Sequence, residues 1–184
     1  MMNKRFTILV ATLYLFLLVA LPAHAATASD ESEVRGVVQM IFEQLKSGQY
    51  DQLYDSLPNA SRSKVSRERF VASLQRANGL YHLDRIEIGA VRVSGDIAAV
   101  DTVMYGSVER PLQAEGKIVA QQYLVREDGR WRVATGDRAT VQRFLAANPA
   151  FAKKFKLSSP RVYVKRDGRW VDLTATLRQA RRAG

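Results

Sequence analysis

One carboxylate in this sequence stands where a carboxylate is hard to accommodate. Asp101 interrupts the β-branched and aromatic run 97–108 in the segment Ala99-Val100-Asp101-Thr102-Val103, and a lone Asp in such a strand is costly to bury without partners. Held in an apolar pocket beside phenolic donors, it would form a proton-transfer site, with the carboxylate as base and a tyrosine hydroxyl stabilising the developing oxyanion. Tyr54, Tyr105 and Tyr123 are the candidate donors and pocket-lining groups, with Phe70 as a further lining residue. Alternation along a strand groups Asp101 with Ile97, Ala99, Val103 and Tyr105, and sets it opposite Val100, Thr102 and Met104. Both sets are mostly apolar, so alternation leaves open whether Asp101 faces a pocket or water.

The rest of the inventory excludes more chemistry than it supports. There is no cysteine, and the two histidines are His24 and His82. Thiolate nucleophiles and His or Cys metal clusters are therefore excluded, and a Ser-His-Asp arrangement would have to use His82, which no nucleophile motif accompanies. No dinucleotide-binding glycine loop, P-loop or Gly-x-Ser-x-Gly elbow occurs, so neither cofactor nor metal is expected. Trp131 and Trp170 each follow an Asp-Gly-Arg turn and are expected to pack across their own hairpins.

The N-terminus carries an address. Asn3-Lys4-Arg5 precedes an apolar run of 16 residues, Phe6 to Leu21, which is followed by Pro22-Ala23-His24-Ala25. A basic start, a short apolar core and a small-residue cleavage site make a secretory signal peptide over residues 1–25, because a spanning helix needs about 20 apolar residues. The expected destination is outside the cytoplasm, in a bacterial periplasm, with no transmembrane helix after cleavage. Beyond the leader the charge is uneven. Residues 26–137 hold 14 Lys/Arg against 16 Asp/Glu, whereas residues 138–184 hold 12 against 2. The basic end suits an anionic envelope polymer, a lipid surface or an acidic protein. Lys153, Lys154, Lys156, Arg161, Lys165, Arg166 and Arg169 are the candidate contacts. Nucleic acid is not an expected partner, since an exported protein rarely meets it and the aromatics belong to hairpins.

These residues need elements to position them. Val34, Val37, Val38, Ile41, Phe42 and Leu45 recur at helical spacing and Gly48 follows as a stop. A short second helix carries Tyr50, Leu53, Tyr54 and Leu57; residues 59–64 read as a polar loop; Ser66 caps a third helix with Phe70 and Leu74 inward. From residue 80 the period becomes that of strands: one around Ile86–Val93 with Gly89 a bulge, one over 97–108, one over 117–126, and one over 131–135 after an Asp128-Gly129 turn. A helical stretch near 140–156, broken at Asn148-Pro149, then leads to a second hairpin over 161–173.

In this order the chain resembles the nuclear transport factor 2-like superfamily, which includes the ketosteroid-isomerase-like and cystatin-like α+β cones. The matching pieces are Phe42-Glu-Gln-Leu-Lys-Ser-Gly-Gln-Tyr-Asp-Gln-Leu-Tyr54, Gly95-Asp-Ile-Ala-Ala-Val100 and Gln122-Tyr-Leu-Val-Arg-Glu-Asp-Gly-Arg-Trp-Arg-Val133, covering roughly residues 30–137. The resemblance implies an α+β fold, with three N-terminal helices packed on a curved antiparallel sheet that forms a cone around an apolar pocket. It carries over no catalytic residue, because such cones serve as enzymes, binding modules and scaffolds alike. It also implies dimerisation through the outer sheet face, unless the C-terminal hairpin covers that face. The expected organisation is a signal peptide over 1–25, the cone over 26–137, and a basic helix, hairpin and tail over 138–184. The expected function is a non-catalytic binding or scaffold module whose basic end contacts an anionic envelope component or protein. The alternative is an isomerase- or hydratase-like enzyme using Asp101 and pocket tyrosines.

Overall fold

The computed structural model describes residues 28–79, 81–108, 113–134, 138–154, 158–176 and 179, without the side chains of residues 77, 138–140, 144 and 154. Four helices come first: α1 (Ala28–Lys46), α2 (Tyr50–Asp55), α3 (Asn59–Arg62) and α4 (Arg67–Asn78). Four strands follow, β1 (Tyr81–Ser94), β2 (Ile97–Val108), β3 (Ala114–Glu127) and β4 (Arg130–Val133), then α5 (Arg138–Ala147), α6 (Pro149–Lys154) and the hairpin β5 (Arg161–Arg166) to β6 (Arg169–Asp172). The fold is α+β, with helices packed on a curved, unclosed antiparallel sheet. The expected signal peptide and the basic residue Lys156 lie outside the described residues.

Helix α1 forms because its apolar residues share one stripe, with Asp30 and Glu31 in the first turn and Lys46 in the last, each favourable to the helix dipole. Val34, Val38 and Phe42 are buried, and full burial of such side chains stabilises by about 1.5–3 kcal/mol each. Where a polar loop was expected, Pro58 opens the one-turn helix α3: the Ser61 and Arg62 amides both donate to its carbonyl, at 2.9 and 3.0 Å. Proline suits that place because it offers no amide to leave unsatisfied.

The sheet runs β1-β2-β3-β5-β6, with β4 also paired to β3. Strand β2 lies between β1 and β3 and is buried on both faces at its hairpin end. Ala98 and Val100 pack against Val34, Val38, Leu124, Trp131 and Val133 on the helix side. Ile97 and Ala99 pack against Leu145 and Phe151, from α5 and α6, on the other. The C-terminal hairpin therefore covers neither face: β5 lengthens the sheet by pairing Arg161–Val164 with Gly116–Val119 of β3, and α5 and α6 provide the second cover.

Strand β1 lies at the sheet edge and is bent by two register shifts, between Leu83 and Arg85 and between Ile88 and Val91. The second includes Gly89, as expected. Helix α1 satisfies carbonyls at both: Arg35 donates to Ile88 and Gly89 at 3.1 and 2.8 Å, and Lys46 donates to Asp84 at 2.6 Å. Arg35 and Lys46 are three helical turns apart, so one face of α1 clasps the edge at two points.

The bend at Leu83 leaves no room opposite it. A Cβ built on Gly106 would sit 2.2 Å from the His82 carbonyl oxygen, whereas one on Gly36, within α1, would meet nothing within 4 Å. Gly106→Ala is expected to cost about 2 kcal/mol or more in a urea titration, and Gly36→Ala to add about 0.5–1 kcal/mol through helix propensity. Equal midpoints for the two variants would contradict this account of the bulge.

Candidate functional site

The helix side of the sheet holds a half-open apolar hollow. Val38, Ile41, Phe42 and Leu45 of α1 and Phe70 and Leu74 of α4 form one wall, with Ile86, Met104 and Gln122 forming the sheet wall, around about 280 Å³. A second cavity of about 240 Å³ adjoins it, sharing Leu45 and Met104, and runs on toward Tyr81, Val108, Ile118 and Val164. Both are overwhelmingly apolar. In the first, the lone polar lining side chain is Gln122, and its amide donates to the Thr102 hydroxyl at 3.3 Å. Thr102 is 2% exposed and donates in turn to the Ala120 carbonyl at 3.0 Å. The chain Gln122–Thr102–Ala120 keeps buried polar atoms partnered. No carboxylate and no imidazole lines this first cavity.

Asp101 lies on the opposite side of the sheet. The register is regular through β2, so Asp101 shares the face of Ile97 and Ala99, away from the cone. Arg92 donates to both carboxylate oxygens, one contact being 2.9 Å, and Gln121 donates to the carboxylate at 3.1 Å. The Gln121 carbonyl oxygen accepts from the Tyr123 hydroxyl at 3.0 Å and from the Ser158 amide at 2.8 Å. These bonds tie β1, β2, β3 and the segment entering β5 together. The Arg92 guanidinium holds the Asp101 carboxyl below its ordinary range, assisted by Gln121 and opposed by burial. Burial, with the nearby Asp101 charge, pushes the Tyr123 hydroxyl up. An Asp fixed in a bidentate ion pair is a poor base, and the arrangement required for proton transfer, Asp101 enclosed in the cone facing a tyrosine, is not the one these residues form.

The aromatic candidates separate in the same way. Phe70 lines the cavity. Tyr54 stands behind it, ring centroids 5.7 Å apart, with its hydroxyl 3.0 Å from the Val65 carbonyl and the Arg67 guanidinium 4.7 Å from its ring. Tyr123 packs on the outer face beside Ile97 and Leu145. Tyr105 is also on the outer face: Arg85 lies 3.6 Å from its ring centroid and its hydroxyl donates to Glu87 at 3.1 Å. His82 is exposed, 3.9 Å from Asp84.

Four of the basic candidates sit on the β5–β6 hairpin and two on α6. Arg161 and Lys165 share the outer face of β5, where Lys165 pairs with Glu115 at 2.9 Å. Arg166 and Arg169 face each other across the Asp167-Gly168 turn, and Lys153 is exposed on α6. The Lys154 side chain and Lys156 fall outside the described residues. Gln122, Thr102, Arg92 and Gln121 were not singled out by sequence reasoning. The consecutive pair Gln121-Gln122 within a strand was the available signal, since it must place one amide on each face.

The Asp101 ion pair sets an acid dependence. A depressed carboxyl stabilises the fold above the ordinary carboxylate range, and this contribution is lost as pH falls through the lowered value. Asp101→Asn is therefore expected to lower the urea midpoint at pH 7, and the gap from the unsubstituted protein should narrow below about pH 4. A gap that persists at pH 2.5 would assign the cost to packing instead.

No family model matches this chain, and none of the curated proteins compared with it does. Among solved structures it is similar to one from Campylobacter jejuni named as an NTF2-like transpeptidase, at 15% sequence identity and a TM-score of 0.38, with 54% of this chain and 95% of that one covered. Helices followed by a curved antiparallel sheet, with an apolar hollow between them, are the α+β arrangement expected from the sequence.

Proposed function

We propose that this chain is an exported, non-catalytic binding module whose cone takes an elongated apolar ligand and whose basic C-terminal part meets an anionic component of the cell envelope. One observation carries the first half: two adjoining apolar cavities of about 280 and 240 Å³, the larger with a single polar side chain already engaged by Thr102. The larger hollow rewards apolar surface, and its lining offers no carboxylate and no imidazole to a bound molecule. The leader-like N-terminus and the surplus of cations after residue 138 support the second half. No helix among the described residues is long and apolar enough to cross a membrane.

Titration with the uncharged fluorophore N-phenyl-1-naphthylamine tests the cavity. Saturable binding of one molecule is expected, with displacement by a long-chain alcohol. Leu74→Phe and Ile41→Phe, which add volume on two different helices, should each weaken uptake by about tenfold while circular dichroism stays unchanged. Absence of saturable binding, or binding indifferent to both substitutions, would overturn this reading.

A further inference from the structure

The two hairpins of identical wording meet opposite fates. Asp128-Gly129-Arg130-Trp131 and Asp167-Gly168-Arg169-Trp170 both turn through residues with positive φ, 51° and 72° in the first and 49° and 74° in the second. In each, the tryptophan pairs across the ladder with a cationic residue, Arg126 with Trp131 and Lys165 with Trp170. Trp131 is 4% exposed beneath α1, whereas Trp170 is 36% exposed. Pairing in the sheet therefore does not by itself bury the second tryptophan.

Its neighbours on the outer face form a continuous row across the strands. Tyr105 of β2 meets Trp170 edge-on, ring centroids 6.3 Å apart. Between them on β3, the Lys117 ammonium lies 4.4 Å from the Trp170 ring centroid and 5.3 Å from that of Tyr163. Lys117 has no carboxylate within ion-pair distance among the described residues, and neither does Arg161, one register step along β5 from the Tyr163 pair. Lys117 lies over rings and near enough to Glu87 to lower that carboxyl, and Arg161 donates to the Tyr163 hydroxyl at 3.5 Å, whereas Arg85, Arg92 and Lys165 are held in ion pairs by Glu87, Asp101 and Glu115. Val119, between them, is 37% exposed. From β2 to β6 the strands carrying this row span about 14 Å, at about 4.8 Å per strand.

We infer that the outer sheet face centred on Trp170, Tyr105, Tyr163 and Lys117 is a binding platform for an acidic polysaccharide. Aromatic faces carry negative potential and attract the polarised C–H groups on the flat side of a sugar ring. A cation held over such rings remains available to the carboxylate of an acidic sugar, and Arg161 extends the positive charge along the chain's path. A neutral glycan would leave both cations unanswered, and a flexible polyanion without rings would leave the three aromatics unused. The assignment deepens the proposed contact with an anionic envelope component and does not rest on the larger cavity, whose lining shares no residue with the platform.

The test uses the purified protein and an oligomannuronate hexasaccharide, with neutral dextran oligomers, oligoglutamate and a deoxythymidine oligomer as competitors. Trp170 is one of two tryptophans, so binding is expected to shift its fluorescence and to weaken as salt rises. By calorimetry, Trp170→Ala and Lys117→Gln should each reduce oligomannuronate affinity by about tenfold or more. Lys117→Gln keeps the fluorescent reporter and stands as the second variant. Oligoglutamate binding as tightly as oligomannuronate, and indifferent to Trp170→Ala, would overturn the platform while leaving the basic contact in place. Preference for the deoxythymidine oligomer would overturn it in favour of nucleic acid, equal binding of dextran would remove the role of charge, and no binding to any of the four would overturn both the platform and the anionic contact.

Discussion

Everything in this structure hangs on the double burial of one strand end. Residues 97–100 of β2 are each no more than 2% exposed, so cover is required above and below the same four residues. A strand buried on both faces cannot alternate apolar with polar. Ile97-Ala98-Ala99-Val100 meets that demand with two alanines at its centre, which let covering elements approach closely from either side. Helix α1 answers on one face through Val34 and Val38. On the other, α5 and α6 answer through Leu145 and Phe151. The C-terminal segment is thus part of the packing of β2.

Farther along β2 the two covers diverge, and chemistry becomes possible in the space they leave. On the helix side α1 and α4 stand off the sheet, and the gap is the apolar hollow floored by Met104 and Gln122. On the other side α5 and α6 end, and the strands present charged and aromatic side chains in rows: Arg92 with Asp101, Arg85 with Glu87, Lys165 with Glu115. The sheet separates an uncharged interior from a charged exterior. Asp101 belongs to the exterior, where an arginine is within reach and water remains close, so the desolvation that would make it a base is avoided.

Much of the fold was legible because local rules and tertiary packing agree. The stripe of α1, the strand 97–108 and both Asp-Gly turns follow from spacing and turn chemistry alone, and the observed positive φ at Asp128 and Asp167 is what those turns require. The bulge at Gly89 was legible for the same reason. The shift at Leu83 was not, because it depends on Gly106, 23 positions away, leaving room for the His82 carbonyl. Helix α3 was hidden by its polar composition, since a single turn held by Pro58 needs no apolar face. The site was less legible than the fold. Both faces of β2 are apolar in sequence, so alternation paired Asp101 correctly with Ile97 and Ala99 but offered no means of saying which set faces the helices.

The two tryptophans show why sequence wording fixes a turn but not a surface. An Asp-Gly-Arg-Trp hairpin delivers its tryptophan to one face of a two-stranded ribbon, and nothing in those four residues determines what lies against that face. For Trp131 the ribbon is joined to β3 beneath α1, and its ring is sealed between the helix and the Arg126 guanidinium, 4.4 Å from its centroid. For Trp170 the ribbon is the last in the sheet, and among the described residues Lys117 and Tyr105 shelter the same side chain, which stays 36% exposed. Burial of a large ring is a property of the layer opposite it. Sequence duplication here reproduces local geometry while the topology decides that one copy builds core and the other builds surface.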